Sequence, residues 1–108
     1  MDGFEILTEN YIKELKKTAI YKQYREKLAN LKKDEEMWQK VSEYKQRRFE
    51  FEKNTSGDEL FDKADGFERD NAFIFENKAA REYLEAEVAL CKMVREIYYT
   101  ITQSIEFE

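Results

Sequence analysis

The chain has 108 residues, the length of one domain, so we expect a single domain over residues 1–108. It contains three glycines, no proline and no histidine. β-Sandwiches and barrels need many turns built from glycine and proline, so this composition favours long helices. Without histidine, the usual catalytic triads and di-iron sites cannot form. We therefore expect an all-α protein that is not an enzyme and holds no metal or other cofactor.

The net charge of −5 is unevenly distributed. Residues 13–33 hold eight basic and two acidic side chains, whereas residues 34–89 hold nine basic and sixteen acidic ones. The two segments could attract each other within a subunit or across a dimer, or the basic one could contact RNA. Solvated helix faces are the simpler interpretation. The basic side chains are Lys13, Lys16, Lys17, Lys22, Arg25, Lys27, Lys32 and Lys33.

The single cysteine, Cys91, cannot form an internal disulfide or a metal site alone. It falls on an apolar helix face, which predicts a buried, unreactive thiol. No apolar segment follows a basic N-terminus, and no run of about 18 apolar residues occurs, so we expect neither a signal peptide nor a membrane span. These features predict a cytoplasmic protein.

The first two helices are predicted to meet near Thr18. Asp2 and Glu5 have the spacing of a capping box, which begins a helix that ends near Lys17. Thr18 can cap a second helix or lie within one continuous helix, and we favour a break. The second helix is predicted over about 19–33, where apolar side chains recur every three or four residues.

Two more helices are predicted before the last. Asp34 has the character of a cap for a third helix over about 35–53. Residues 54–58 form the clearest loop, and a second capping box at Ser56 begins a fourth helix. Residues 73–75 are either a last helical turn or a buried extended connection, because a short apolar run fits both.

The segment 76–108 has the longest unbroken helical period, with Asn77 as its cap. We expect its apolar face to lie at the centre of an antiparallel bundle of four to five helices, since short connections favour antiparallel neighbours. That face comprises Ala80, Tyr83, Leu84, Leu90, Cys91, Val94, Ile97, Tyr98, Ile101 and Ile105.

Two charged residues fall at the centre of apolar faces, Arg48 on the third helix and Glu87 on the last. An isolated buried charge is costly, so each needs a partner of opposite sign. We expect the two to pair in the core or across a dimer seam, where they would set the register of the helices. The alternative is that both side chains extend to water.

A candidate interaction face lies on the last helix. Val88 and Tyr99 fall on its polar side, eleven residues and three turns apart, and therefore share a stripe. They are either scattered surface residues or part of a contact with a second copy or another protein. The complete candidate face is Leu84, Val88, Tyr98, Tyr99 and Ile101.

The sequence resembles the YlbF/YmcA family of small helical bacterial proteins over about residues 4–105. The most specific feature is the Tyr-Leu-Glu-Ala-Glu run at 83–87. The resemblance also includes Thr18, Tyr21 and Tyr24 at spacings of three, Leu28, Asp34, Asn77, and the apolar positions Leu90, Val94, Ile97 and Ile101.

The resemblance implies an all-helical regulator that self-associates as a homodimer or higher oligomer and binds another cytoplasmic protein. Family members act in a complex that affects competence, biofilm formation and sporulation and is tied to RNase Y-dependent mRNA processing. The sequence departs from the family pattern in two respects, which limit how much of the family's function can be assigned to this chain. Lys78 stands where the pattern often has proline, and the Cys-bearing tail of members associated with iron–sulfur clusters has no counterpart before Glu108. The resemblance carries no catalytic residues.

The expected function is therefore a non-enzymatic regulator acting through helix-mediated protein contacts. One alternative is a nucleic-acid-binding module using the basic segment 13–33, although we expect nucleic acid to be the less favoured partner. Another is a purely structural helical spacer.

Overall fold

The computed structural model describes residues 2–105, and these residues form six α-helices and no strand. The helices are α1 (Gly3–Leu15), α2 (Ala19–Lys32), α3 (Glu35–Asn54), α4 (Gly57–Asp70), α5 (Ala72–Glu76) and α6 (Lys78–Ile105). This confirms the all-α fold class. The number of helices exceeds the predicted four to five because residues 72–76 form a short helix of their own. Residues 106–108 of the predicted last segment lie outside the described residues.

Side-chain caps begin four of the helices, as the sequence predicted. In each, an oxygen of the cap accepts a hydrogen bond from a backbone N–H three residues later. The pairs are Asp2 with Glu5 at 2.9 Å, Thr18 with Tyr21 at 3.2 Å, Asp34 with Met37 at 3.0 Å, and Asn77 with Ala80 at 2.9 Å. The cap at Thr18 separates α1 from α2. Ser56 precedes α4 but makes no side-chain cap hydrogen bond, so the capping box predicted there is wrong.

The core lies where α2, α3 and α5 pack against the N-terminal end of α6. Tyr83 is at its centre, in edge contact with Trp38 at 5.9 Å between ring centroids and near Tyr24 at 5.7 Å. Such aromatic pairs add to the burial of apolar area. The buried apolar residues are Leu28, Leu31, Val41, Tyr44, Ile74, Ala80, Tyr83 and Leu84.

The fourth helix is attached to this core by aromatic contacts and one buried amide. Phe67 stacks on Phe51 of α3 with 4.6 Å between ring centroids. At the joint between α4 and α5, the Asn71 amide donates to the Phe67 carbonyl at 2.8 Å and accepts from Arg47 at 2.8 Å. A buried amide needs such partners on both its nitrogen and its oxygen. Sequence analysis did not single out Asn71.

The apolar face of α6 extends well beyond the core. Only Ala80, Tyr83 and Leu84 of α6 are buried, whereas Tyr98 is 69% exposed and Cys91 is exposed. The predictions of a fully central face and a buried Cys91 are therefore wrong for the single chain. The reason is length, because α2 has 14 residues and α6 has 28, so α2 can cover only half of it.

The first helix contributes no buried residue, and its Phe4 is 76% exposed. The radius of gyration is 17.4 Å, compared with about 13 Å for a compact chain of this length. A single chain is therefore a small core with two projecting helical segments. Over residues 2–105, none of the six helices combines the length and apolar character that a membrane crossing requires.

Candidate functional site

A charged cluster joins α3 to α6. Lys45 and Arg48 are three residues apart on α3, and Tyr83 and Glu87 are four apart on α6, so each pair shares a helix face. The structure brings Arg48 and Glu87 together, with 3.2 Å between Arg48 Nη2 and Glu87 Oε1. We call Lys45, Arg48, Tyr83 and Glu87 the charged cluster.

Both carboxylate oxygens of Glu87 have partners. Oε1 faces Arg48, while Oε2 pairs with the Lys45 ammonium and accepts a hydrogen bond from the Tyr83 hydroxyl at 3.3 Å. The Tyr83 hydroxyl in turn accepts from Lys45 Nζ at 2.8 Å. A carboxylate whose side chain is 15% exposed is thus surrounded by donors, which offsets the cost of removing it from water.

The two cations keep Glu87 ionised. Burial alone would raise the pKa of Glu87, but the hydrogen bonds and positive charges of Lys45 and Arg48 outweigh burial and lower it. Burial raises the pKa of the Tyr83 hydroxyl to about 12, and the nearby Glu87 charge acts in the same direction. At neutral pH the cluster therefore holds two positive charges, one negative charge and a neutral phenol.

Sequence analysis identified Arg48 and Glu87 but missed Lys45 and Tyr83. Lys45 lies three residues before Arg48, so its place on the same face was readable from helical spacing. Tyr83 was assigned to the apolar face, and its ring is indeed buried, but its hydroxyl belongs to the cluster. That the pair sets helix register stays a prediction.

The candidate interaction face contains both buried and exposed residues. Leu84 is buried in the core. Val88, Tyr98, Tyr99 and Ile101 are all exposed, with Val88 58% and Ile101 47% exposed. The exposed members can contact another molecule without any rearrangement of the chain, whereas most of Leu84 cannot.

The basic segment lies on the end of α1, on α2 and on the turns beside them. Lys27 pairs with Glu82 of α6 at 3.1 Å, and Lys17 pairs with Glu14 at 3.0 Å. Lys32 lies over the Trp38 ring at 5.2 Å. Three of the eight basic side chains therefore make contacts within the same chain. It stays a prediction that the basic segment binds nucleic acid through these three side chains together with Lys13, Lys16, Lys22, Arg25 and Lys33.

Among residues 2–105, no group of three or more Cys, Asp or Glu side chains is arranged to hold a metal ion. The charged cluster contains only one carboxylate and two cations, a composition that repels a metal cation. What the cluster can do is hold α3 against α6 and present positive charge beside an apolar surface.

Comparisons with known proteins cover nearly the whole chain. The family model described as "Control of competence regulator ComK, YlbF/YmcA" matches residues 8–106. The chain is 30% identical over 96 residues to a UPF0342 protein from Caldicellulosiruptor bescii, and the alignment covers 87% of this chain and 81% of that protein. No solved structure matches the chain. The family match runs from within α1 through all of α6, so it includes the core, residues 8–15 of α1 and the whole of α6.

Replacing Glu87 with Gln removes the charge that Lys45 and Arg48 face while keeping the side-chain shape. We expect the free energy of unfolding in urea to fall by about 2 kcal/mol, between the values for exposed and fully buried ion pairs. The intermediate value follows because the two cationic side chains are 32% and 33% exposed. Glu85→Gln, on the exposed side of the same helix, should change stability by less than about 0.5 kcal/mol. Equal effects of the two variants would contradict a stabilising cluster.

The contribution of Glu87 should also depend on pH. Its pKa in the folded chain lies below the ordinary 4.5, so the stabilisation is complete above the ordinary value and is lost as pH falls through the folded value. Urea unfolding from neutral to acid pH should therefore show the stabilities of wild type and Glu87→Gln converging as the pH falls below 4.5. A stability difference that stays constant over this range would show that Glu87 acts by packing, not by charge.

Proposed function

We propose that this chain, which belongs to the YlbF/YmcA family, is a regulatory protein that acts through contacts with other proteins and catalyses no reaction itself. The description of the family names control of a competence regulator, which supports a regulatory role. The charged cluster supports a structural use of the ionisable residues, because its groups are paired with one another.

One observation carries the proposal, namely the extent of exposed apolar surface on α1 and on the C-terminal half of α6. We call this the arm surface. Its members are Phe4, Ile6, Leu7 and Ile12 on α1, and Val94, Tyr98, Tyr99, Ile101 and Ile105 on α6. Large exposed apolar patches mark sites at which a protein contacts another molecule.

A second copy of the chain is the first partner that we propose for the arm surface. In a symmetric pair the same helix faces meet, so one apolar face buries another of equal length. Association would also complete a core that is small for the chain length, as the radius of gyration of 17.4 Å indicates. The resulting homodimer or higher oligomer would be the regulatory unit.

The finer proposal concerns the pathway. The resemblance points to a cytoplasmic complex linked to RNase Y-dependent mRNA processing and to competence, biofilm formation and sporulation. We propose that this chain works in a complex of that kind, with exposed residues of α6 among its contacts.

Self-association can be tested by placing a charge on the arm surface. Ile101 is 47% exposed in the single chain, so Ile101→Glu should leave the fold intact and prevent burial of the face. Light scattering after gel filtration should give wild type at least twice the 13.1 kDa chain mass and the variant one chain mass. Helical circular dichroism should be unchanged, and Gln103→Glu on the polar side should behave as wild type. A monomeric wild type at about 100 µM would contradict the proposal, because stable interfaces persist at such concentrations.

The regulatory role predicts specific partners. Affinity purification of the tagged chain from its native host, followed by quantitative mass spectrometry, should enrich proteins of RNA decay or competence control. A matched purification of the tag alone provides the background. Reproducible recovery of the chain by itself, without other proteins, would contradict the regulatory proposal and favour a structural spacer.

A further inference from the structure

The second and fourth helices carry opposite net charges. Residues 19–33 hold five basic side chains and one acidic one, whereas residues 57–70 hold six acidic and two basic ones. The net charges of these two segments are therefore +4 and −4. Among residues 2–105, however, no ion pair joins α2 to α4, so the chain does not use this attraction internally.

On α4 an exposed aromatic ring lies within a row of carboxylates, which we call the acidic stripe. Its members are spaced by three, four and three residues, so they share one face of the helix. They are Asp58, Phe61, Asp65 and Glu68, and all four are exposed. Phe61 is 85% exposed. Another face of α4 packs through Phe67 on Phe51, which leaves the acidic stripe in solvent.

The outer face of α2 has the complementary pattern, which we call the basic stripe. Its members are exposed, are spaced by three, four and four residues, and are Lys22, Arg25, Ala29 and Lys33. The neighbouring Glu26 lowers the net charge of this surface from +3 to +2, opposite in sign to the −3 of the acidic stripe. Beside the small Ala29 lies an open depression of about 410 Å³, lined by Glu26, Lys27, Ala29, Asn30 and Lys33. An aromatic side chain therefore has room between the basic ones.

The six charged side chains of the two stripes are available to another molecule. None of them forms an ion pair with another residue in the range 2–105. By contrast, Lys27 on a different side of α2 pairs with Glu82 at 3.1 Å. Because α2 packs on α6 and α3, while α4 contacts α5 and α3, the stripes do not meet within one chain.

The spacing of the charges favours antiparallel packing of the two stripes. Both helices have 14 residues, and they rise equally per residue, so placing Phe61 opposite Ala29 fixes the other pairs. Residues after Phe61 then face residues before Ala29 at the same separation. The resulting pairs are Asp65 with Arg25, Glu68 with Lys22, and Asp58 with Lys33. Parallel packing would place Glu68 beyond the end of α2 and leave it without a basic partner.

We propose that the acidic stripe of one copy docks on the basic stripe of a second copy, with the helices antiparallel and Phe61 in the depression at Ala29. In a pair related by a two-fold axis the contact forms twice, since α4 of each copy meets α2 of the other. The contact uses no residue of the arm surface. It therefore goes beyond the proposed function and gives the chain a second, charge-dependent means of self-association.

Cross-linking with a carbodiimide, which joins a lysine amine to a carboxylate in contact with it, can locate the interface. Unlabelled and ¹⁵N-labelled chains are mixed, equilibrated, cross-linked and analysed by mass spectrometry. We expect Lys33–Asp58 and Lys22–Glu68 cross-links between one labelled and one unlabelled peptide. Their yield should fall at least about fivefold between about 0.1 M and 1 M NaCl, because the Debye length shortens from about 10 Å to about 3 Å. Absence of these cross-links, or their presence only within peptides of the same isotope, overturns the proposal.

An exchange of charges tests the register. Arg25→Asp places a carboxylate opposite Asp65 and should lower the yield of the Lys33–Asp58 cross-link at least about fivefold, although neither cross-linked residue is changed. Adding Asp65→Arg to the same chain should restore the wild-type yield. Adding Glu59→Arg instead changes the charge equally on a different face of α4 and should restore nothing. Failure of Asp65→Arg to restore the yield, or equal restoration by Glu59→Arg, overturns the proposal.

The aromatic part of the contact is tested separately. Phe61→Ala should lower the Lys33–Asp58 yield by about tenfold, since burial of a large apolar side chain accounts for a factor of this size. Phe49→Ala is a matched control, because Phe49 is 62% exposed on α3 and lies outside both stripes. It should leave the yield unchanged, and full yield in Phe61→Ala overturns the docking of this ring.

The outcomes distinguish this contact from the arm surface. The cross-links should persist in Ile101→Glu, and their loss in that variant would overturn the assignment of a separate surface. Absence of the cross-links in a chain that still doubles its mass would reject this contact and leave the arm surface standing. Absence of the cross-links together with salt-dependent binding of a single-stranded oligoribonucleotide would assign the basic stripe to nucleic acid, which also overturns the proposal.

Discussion

The length of α6 is the constraint on which the rest of this structure depends. A helix of 28 residues is about 42 Å long, and the 14-residue α2 is about half of that. Whatever packs around the N-terminal end of α6 therefore leaves the other end without cover from its own chain. The first helix does not supply the missing cover, since α1 also projects from the core and has no buried residue. The exposed apolar surface on which the proposed interactions rest follows from this geometry more directly than from any single residue.

The charged cluster and the core are two parts of one arrangement. Tyr83 fills the centre of the core with its ring and directs its hydroxyl to Glu87 and Lys45. The energy of hydrophobic packing changes little when a helix rotates slightly, because apolar contacts have no preferred direction. The hydrogen bonds of a carboxylate with both oxygens paired are directional, so the same rotation would weaken them. The cluster therefore adds directional contacts between α3 and α6 to the apolar contact that the Tyr83 ring makes with Trp38.

Local features of the sequence were the easiest to predict. Caps at Asp2, Thr18, Asp34 and Asn77 depend on residues within one turn, and all four are present. The exception is Ser56, whose position is right but whose side chain makes no cap bond. A capping motif shows that a hydrogen bond can form, but other contacts of the loop decide whether it does.

Features that depend on tertiary packing were predicted less well. Helical periodicity places Cys91 on an apolar face, but it does not show how far along that face the neighbouring helices extend. The charges of Arg48 and Glu87 stood out because they interrupt an apolar pattern. Lys45 did not, because a lysine among charged neighbours looks like ordinary surface. Asn71 was also missed, because its burial arises from the meeting of α4, α5 and α3, which the local sequence does not show.

The uncovered end of α6 also makes this helix a lever. From Glu87 to Ile105 the helix runs 18 residues, about 27 Å, so a tilt of about 10° at the cluster would displace the far end by about 5 Å. Small changes in how Arg48 and Lys45 hold Glu87 are thereby magnified at the helix tip.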